Sequence, residues 1–555
     1  MPKPRRMRDF RRSSEMLSVG HRVMIEKGLI AHAGRGLFYV LPVAQLAIEV
    51  NMGHGSMGKK LIAIIDREMQ LIGAQKITMP TLTPLDWWKQ SERFGPMKNE
   101  LFTLQGRDDV EYCLGATHEE SVTRLFAESS IKFSDKMLPL MLYQITPKFR
   151  DEANPRFGLL RSREFLMKDL YSFDVSANAA KGTFDMVCAA YSRIFGALGL
   201  SPIQVHADVG DMGGSVSQEF HIPCSSGQDK VWMCPTCGVS DSDEIAKSKS
   251  QSVPSATCPY CGCNFRDSLR TVELAHCFVL GERYSKCFDA SVFATIVEPG
   301  NNGSPRLRYA HMGCFGIGIG RLLAACIDYF AVSVTDDKSG AILGSGGFRG
   351  TLRGQVGTES IGTEKLPECG MEDNVRDGRV DSGDRGVGKF EADSIGTSSA
   401  ERGCIEKLES RRNYEGRMRE LLENAGKQVY QLRWPRTIAP FDVCLIGPKR
   451  NSNEELEAKP ILDDVLESLE QKRCCGGGLN DFTKLSLNIL FDDRTDLTVG
   501  RRLVEAKAAG WPIIVVCNRT AVAGNGVPKF EIFQLEQGND SLTVSHRELF
   551  KFLKL

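Results

Sequence analysis

Within residues 149–174 the chain brings an arginine, a carboxylate and an aromatic ring into close sequence company. The stretch opens Phe149-Arg150-Asp151-Glu152, crosses a polar loop with Pro155 and Gly158, and returns through Arg163-Glu164-Phe165. Two strands and a loop make a hairpin, and side chains alternate faces along a strand. Arg150 and Glu152 therefore share a side, where the return strand can set Phe165 beside them. Such a face offers a planar cation for phosphate or carboxylate, an acceptor for an amino group and a plate for a base. Taken alone, an Arg-x-Glu equally describes a solvated surface pair.

Three other constellations carry chemistry. Thr117 and Glu119 can both face a pocket and hold a secondary ammonium, although Thr117-His118-Glu119-Glu120 also reads as a helix start with Thr117 as N-cap and Glu120 at the third helical position. In the run 313–322, Gly318 and Gly320 let backbone approach a nucleotide and Arg321 can reach terminal phosphates; the Gly-x-Gly-x-Gly-Arg spacing differs from the dinucleotide pattern. Cys234-Pro-Thr-Cys237 and Cys258-Pro-Tyr-Cys261 can supply four thiolates to a structural zinc ion, closing a Cys-rich knob at 231–266. Cys263 is a competing ligand, and reduced, metal-free thiols are the plain alternative. Lys247-Ser248-Lys249-Ser250, within the same knob, reads as a solvated loop.

These groups need elements to position them, and 555 residues allow about three or four domains, each with its own core. Basic and acidic side chains balance at 70 each, which argues against a wholesale polybasic binder but leaves room for one positive face. No run of about twenty apolar residues exists, so no membrane span is expected. Eighteen Cys without a secretory leader suit a reducing compartment. The N-terminal stretch 1–17, with Lys3, Arg5, Arg6, Arg8, Arg11 and Arg12 against Asp9, suits an organellar presequence or a basic tail. Leu61, Ile65, Met69 and Ile72 recur at helical spacing before a strand at 76–79 that Pro80 stops, and 184–200 reads as an amphipathic helix. Residues 331–432 read as a low-complexity insertion, expected to be mostly disordered, either a lineage-specific loop or an error in the gene model. From 433 to 555, strands at 441–446, 487–491 and 512–516 alternate with helices at 461–471 and 501–509, which predicts a small α/β sheet.

The order Phe-Arg-x-Glu, loop, Arg-x-x-Phe resembles motif 2 of class II aminoacyl-tRNA synthetases. The helix, strand and Pro80 resemble motif 1, and the glycine run with Arg321 resembles motif 3. With Met167-Lys168-Asp169, Tyr171-Ser172-Phe173 and the Trp87-Trp88, Ser91, Arg93 signature, the chain is similar to the bacterial and organellar type of prolyl-tRNA synthetase. The glycine-rich stretch 52–58 lengthens the motif 1 connection beyond the family's and reads as a surface loop. In the string 213–220, Gln218 stands where the family has His, which puts acid-base use of that position in doubt. Ala275 replaces a usual Gly in Glu273-Leu274-Ala275-His276 and threatens to crowd the pocket.

The resemblance implies an α+β fold. A class II catalytic domain over 18–330, an antiparallel sheet flanked by helices, would carry the zinc-ribbon-like insertion and precede a C-terminal α/β anticodon-binding domain. It implies ATP-dependent ligation of L-proline to tRNA(Pro) through prolyl-adenylate, with Mg2+, a homodimer through motif 1 and a mitochondrial matrix location, cytoplasm or another organelle being the alternative. Arg150, Glu152 and Arg321 would be catalytic, with Arg161, Phe165, Gly318 and Gly320 completing the ATP site. Thr117, Glu119, Asp169, Tyr171 and His276 would join Arg150 around proline, Arg156 and Arg161 would meet the tRNA acceptor end, and Arg494 and Arg501, with Arg502 beside it, the anticodon. The interval from 174 to 313 leaves no room for the editing domain that bacterial relatives carry, so no editing in cis is expected. The competing class is a catalytically inactive synthetase-like protein that binds RNA or a polymerase. Threonyl or glycyl specificity is a nearer alternative, against which the Thr117 and Glu119 context argues.

Overall fold

A computed structural model describes residues 18–49, 61–129, 133–224, 227–234, 236–249, 258, 260–263, 267–294, 306–334, 429–474, 488–517, 529–535 and 541–553. The basic N-terminal stretch, the glycine-rich loop at 52–58 and most of the insertion, 335–428, lie outside these residues. Among the described residues no helix is long and apolar enough to cross a membrane.

A nine-stranded sheet organises the chain, in the order Val216–Pro223, Ile203–His206, Ser240–Ser242, Asp229–Met233, Asp267–Gly281, His311–Gly318, Glu164–Asp174, Leu140–Phe149 and Gln75–Lys76. The neighbours at its centre are antiparallel. Glu164–Asp174 shows why one face is core and the other a site. Leu166, Lys168 and Leu170 point one way, while Phe165, Met167, Asp169 and Tyr171 point the other. The first face is covered by the helices Ala177–Ala197 and Ile319–Phe330, whose Phe184, Val187, Tyr191, Ile194, Leu322 and Leu323 bury against Leu170, Phe315 and Ile317. The helix Glu119–Ala127 covers only part of the second face, where Val122 and Phe126 pack on Phe173 and Met312.

Lys168 is the exception on the core face. It is fully buried, donates to the Tyr191 hydroxyl and to the Phe315 carbonyl at 3.2 Å, and burial pushes its ammonium down to about 7. The unfolded chain keeps that proton up to the ordinary lysine pKa, so between the two values it binds more protons than the folded state. Lys168's contribution to stability therefore rises with pH across that window and is lost below about 7. Relative to Lys168→Met, the wild-type melting temperature is expected to rise by about 3 °C between about pH 7 and pH 9. Equal pH profiles for the two proteins would remove the effect.

Several boundaries differ from the sequence expectation. The helix read at 184–200 is Ala177–Ala197: it starts earlier because the Ser176 side chain caps it, and it ends before Gly199 at φ 73°. The motif 1 helix is Leu61–Leu71, but the strand after it is only Gln75–Lys76. Ile77 N–H still donates to Tyr143, but Met79 N–H turns to the Gln144 side chain and Pro80 has no N–H, so the ladder ends. The Lys247 stretch is a helix, Asp243–Lys249, with acids in its first turn and Lys247 paired to Asp243, rather than a loop.

Both ends of the low-complexity segment belong to the fold, because Val332–Val334 pairs antiparallel with Val429–Gln431. Leu432, Trp434, Ile438 and Ala439 then join the buried cluster of the catalytic part. Beyond them, Val443–Ile446, Ile489–Asp492 and Ile513–Val516 form the expected parallel strands, with the helices Asn453–Cys474 and Val499–Ala508. Two antiparallel strands, Lys529–Gln534 and Ser541–Ser545, extend the sheet, and the helix His546–Phe552 follows.

Candidate active site

Cross-strand partners share a face, so the register of the central sheet determines which side chains meet. One row reads Glu219, His276, Gly316, Asp169, Gln144. The next reads Ser217, Phe278, Cys314, Tyr171, Leu142. On the other side of the first row, Gly318 opposes Met167, and Phe165 opposes Lys148. Phe165, Asp169, Tyr171, His276 and Gly318, drawn from three separate stretches of the sequence, thus lie on one face. Gly316 leaves its centre open, since a Cβ there would meet nothing nearer than Met167 Sδ at 3.7 Å.

One end of this face is a buried polar pocket. Thr117 Oγ1 donates to the Glu119 carboxylate at 2.7 Å and lies 3.3 Å from the Tyr171 hydroxyl, which donates to Asp169 Oδ2 at 2.9 Å. Because that hydroxyl is engaged, Thr117 does not cap the helix; it begins at Glu119 with His118 in the cap position and no side-chain cap. Cys314 Sγ donates to Glu119 at 3.0 Å, Gln144 Nε2 donates to Asp169 at 2.9 Å, and Lys148 pairs with Asp169 at 2.8 Å. Behind them, Arg93 spans Glu119 and Glu120 at 2.9 and 3.1 Å. Burial opposes ionisation of Glu119, yet Arg93, Cys314 and Thr117 hold its carboxyl below the usual range. A pocket lined by aligned carboxylates and hydroxyls accepts a cation with two N–H donors.

The other end is cationic. The strand stops at Phe149, so Arg150, Asp151 and Glu152 sit in the turn rather than on the strand: Glu152 N–H folds back to the Arg150 carbonyl at 2.8 Å. The expected meeting of Arg150 and Phe165 nevertheless occurs, because Arg150 N–H pairs with the Arg163 carbonyl and sets the guanidinium 5.4 Å from the Phe165 ring. Glu152 is taken by Arg161 at 2.8 Å instead of sharing the Arg150 face. Arg150 Nε is buried without a hydrogen-bond partner, and burial and the charge of Arg321 both pull this guanidinium below its ordinary pKa. Two neighbouring arginines with an unmet donor make a place for an anion.

Arg321, at the start of its helix, is held by Glu273 at 2.8 Å and by the Leu160 carbonyl at 3.0 Å. His276 Nδ1 lies 3.4 Å from both Glu219 and Glu273, and Nε2 is 2.7 Å from Ser217 Oγ. Burial opposes it, but His276 and Arg321 hold the Glu273 carboxyl well below the usual range. One ligand atom each from Glu219, Glu273 and His276 lie within 4.8 Å of one another, a donor set of two carboxylates and an imidazole that fits a divalent cation.

Two departures from the family pattern lose their force. Gln218 faces away from the site, donating to Gln204 at 3.1 Å, and Ala275 is buried on the core face opposite Ile317. Neither side chain can crowd or titrate in the pocket.

The cysteine knuckles are alike: Gly238 N–H bonds to the Cys234 carbonyl and Gly262 N–H to the Cys258 carbonyl, both glycines having φ 73°. Sγ atoms of Cys234, Cys237, Cys258 and Cys261 lie within 4.8 Å of one another, and Cys263 comes within 3.1 Å of Cys234. Arg156 and Arg161 are exposed and both donate to Gln228 Oε1, at 3.1 and 3.0 Å. In the C-terminal sheet Arg494 is held by Asp492 at 2.7 Å and Glu505 at 2.6 Å, and Arg501 by Glu505 at 3.2 Å. Arg502, expected beside Arg501 as a contact residue, is fully buried and donates to the carbonyls of Asp492, Gly447 and Pro448, so it cannot touch RNA.

Gln144, Lys148, Glu120, Ser217 and Cys314 had no site role in the sequence reading. A signal did exist for two of them. In Leu140–Phe149 the polar residues Gln144, Thr146 and Lys148 alternate on an otherwise apolar strand, which marks a polar face.

An antiparallel sheet with a motif 2 hairpin, a motif 3 helix and a polar row on its site face defines the class II synthetase core, and residues 102–330 match the family "tRNA synthetase class II core domain (G, H, P, S and T)". The chain is 34% identical over 514 residues to the probable mitochondrial proline--tRNA ligase of Rattus norvegicus, covering 92% of this chain and 80% of that one. It is 36% identical over 326 residues to proline--tRNA ligase of Anaplasma phagocytophilum, covering 57% and 72%. A structure titled Giardia lamblia prolyl-tRNA synthetase in complex with prolyl-adenylate superposes with a TM-score of 0.59 over 95% of this chain and 74% of that chain, at 15% identity. The chain belongs to the proline--tRNA ligase family.

Proposed function

We infer that this chain ligates L-proline to tRNA(Pro) through prolyl-adenylate, and the observation that carries the reading is the single sheet face joining the Thr117, Glu119 and Tyr171 pocket to Arg150, Phe165 and Arg321. The secondary ammonium of proline fits the Glu119 carboxylate and Thr117 hydroxyl, with Asp169, Tyr171 and His276 as walls. Its carboxylate then faces the Arg150 end. Attack of that carboxylate on the α-phosphate, which breaks the α–β phosphoanhydride bond and expels pyrophosphate, needs orientation and charge stabilisation rather than a side-chain nucleophile. Arg150 holds carboxylate and α-phosphate together, Phe165 stacks the adenine, and Arg321 exchanges Glu273 for distal phosphate. Glu152 and Arg161 brace the ATP site, and backbone at Gly318 and Gly320 lies close to the nucleotide. The Glu219 and Glu273 carboxylates would hold magnesium, which would supply charge neutralisation at the phosphates. The terminal ribose of the tRNA then takes the prolyl group, releasing AMP.

The accessory parts follow the same reading. Arg156 and Arg161, exposed on the motif 2 loop, meet the acceptor end. The domain at 433–555 binds the anticodon, Arg494 and Arg501 contributing once RNA phosphate competes with Asp492 and Glu505. The protein dimerises through motif 1 and works in the mitochondrial matrix, as the names of its mitochondrial relatives suggest. On this reading the chain does not edit in cis. In support, the described residues between 174 and 313 form one long helix, strands of the sheet, the cysteine knob, the short helix Arg283–Cys287 and the hairpin of Ser291–Ala294 with Arg306–Tyr309. Proline-dependent exchange of pyrophosphate into ATP, followed by charging of tRNA(Pro), tests the function.

The four cysteines bind one structural zinc ion. Purified chain is expected to hold about one zinc per molecule, and Cys258→Ser to lose it and to unfold about 5 °C or more lower, because so small a knob has no apolar core of its own. Unchanged metal content in the variant would exclude the site.

A further inference from the structure

We propose that Arg93 is a positioning residue for substrate selection: lodged between the Glu119 and Glu120 carboxylates, it fixes Glu119 against the Thr117 hydroxyl and leaves these three groups one negative charge in surplus for the substrate's ammonium. This deepens, and rests on, the reading of the site as proline-activating.

The geometry is that of a buried, shared ion. Arg93 is 1% exposed, Glu119 0% and Glu120 1%. Arg93 Nη1 donates to Glu119 Oε2 at 2.9 Å and to the two Glu120 oxygens at 3.1 and 3.3 Å, so one nitrogen serves both carboxylates. Its other terminal nitrogen lies against the sulfurs of Met97 and Met212, and the guanidinium sits 4.9 Å from the Trp88 ring and 5.6 Å from that of Tyr284. Aromatic and thioether walls lock the orientation without adding charge. Glu120 is completed by Ser91 Oγ at 2.7 Å, which leaves Glu119 as the carboxylate shared with Thr117 and Cys314.

The charge count follows from the neighbours. Lys148 and Asp169 cancel at 2.8 Å, and burial, with Lys148 close by, keeps His118 neutral. Burial also keeps Tyr171, Tyr284, Cys314, Cys113 and Cys287 protonated. Among the described residues Arg93 is the guanidinium that pairs with the two carboxylates; Arg283 approaches the Tyr284 ring to 5.7 Å but pairs with neither. Buried charge without a partner is costly, so the empty pocket favours any cation that can complete it. Burial and the neighbouring Glu119 push Glu120 upward despite Arg93, which is the mark of a carboxylate pair short of one positive charge.

Charge counting is separable from packing. In Arg93→Gln two carboxylates remain uncompensated, in Glu120→Gln the surplus is gone, and the double variant Arg93→Gln/Glu120→Gln returns to one surplus negative charge. With pyrophosphate exchange measured at about pH 8, each single variant is expected to raise the KM for proline about tenfold or more while the KM for ATP stays within about twofold. The double variant is expected to lie closer to wild type than either single. A double variant as impaired as the product of the two singles overturns the proposal, since lost packing accumulates whereas compensated charge does not. Should Arg93→Gln fail to fold, Glu120→Gln decides alone: a raised proline KM with an unchanged ATP KM supports the surplus charge, and an unchanged proline KM overturns it. If wild-type chain shows no proline-dependent exchange, the activity reading itself fails; if wild type exchanges and the variants do not follow this pattern, only the role of Arg93 fails.

Discussion

Arg150→Ala is expected to lower kcat/KM for proline-dependent pyrophosphate exchange about 1,000-fold or more while leaving the fold intact. The reason lies in what Arg150 lacks. Its Nε is buried without a partner, its ring neighbour Phe165 offers only a face, and Arg321 adds a like charge nearby. The unfilled donor is available to substrate, and negative charge that moves between carboxylate, α-phosphate and pyrophosphate is what a fixed guanidinium stabilises best. Desolvation and the charge of Arg321 outweigh the attraction of Glu100, Glu273 and Glu152, so Arg150 is a net cost to the folded state and the alanine variant should melt no lower than wild type. Arg150→Lys should recover only a small part of the activity, because an ammonium cannot bridge carboxylate and phosphate as a planar fork does. A fully active alanine variant would remove Arg150 from the chemistry.

The second large effect is expected at the opposite end of the face. Glu119→Gln should reduce kcat/KM for proline by about 100- to 1,000-fold with little change in the KM for ATP. The substitution keeps the shape and one acceptor oxygen but removes the charge that faces the ammonium. It also leaves Arg93 fully matched by Glu120, so it abolishes the surplus and the direct acceptor together. It should therefore exceed Glu120→Gln, which touches only the surplus. Steady-state exchange with proline and ATP varied separately checks this, and an equal rise in both KM values would show a general distortion of the site instead.

How much of this was legible in the sequence depended on whether a residue acts along its own strand or across the fold. Phe165, Asp169 and Tyr171 were readable as neighbours because alternation carries every second side chain to one face. The glycine run was readable because glycine leaves room, and Gly316 does so between Asp169 and His276. Lys148 was missed because its meaning comes from Asp169 on the neighbouring strand, and Glu273 because its partner Arg321 arrives on a helix from a distant part of the chain. Register between distant strands cannot be counted from a single sequence. The same limit explains Gln218 and Ala275: their departures from the family pattern looked threatening until the register put both on the side away from the pocket. Arg502 was misread because a basic side chain was taken as surface, whereas three backbone carbonyls satisfy it internally. The Arg150 turn was a smaller error, since the chain leaves the strand at Phe149 yet returns the guanidinium to Phe165 through the Arg163 hydrogen bond.

Exchange of pyrophosphate into ATP by purified chain, with each of the twenty amino acids offered in turn, tests the central claim most directly. Proline should support exchange at least about 100-fold better than any other, because only a secondary ammonium with its carboxylate held at the Arg150 end satisfies both halves of the face. Exchange driven best by threonine, glycine or another amino acid would contradict the pocket assignment, and silence from folded, magnesium-supplied protein would contradict catalysis itself.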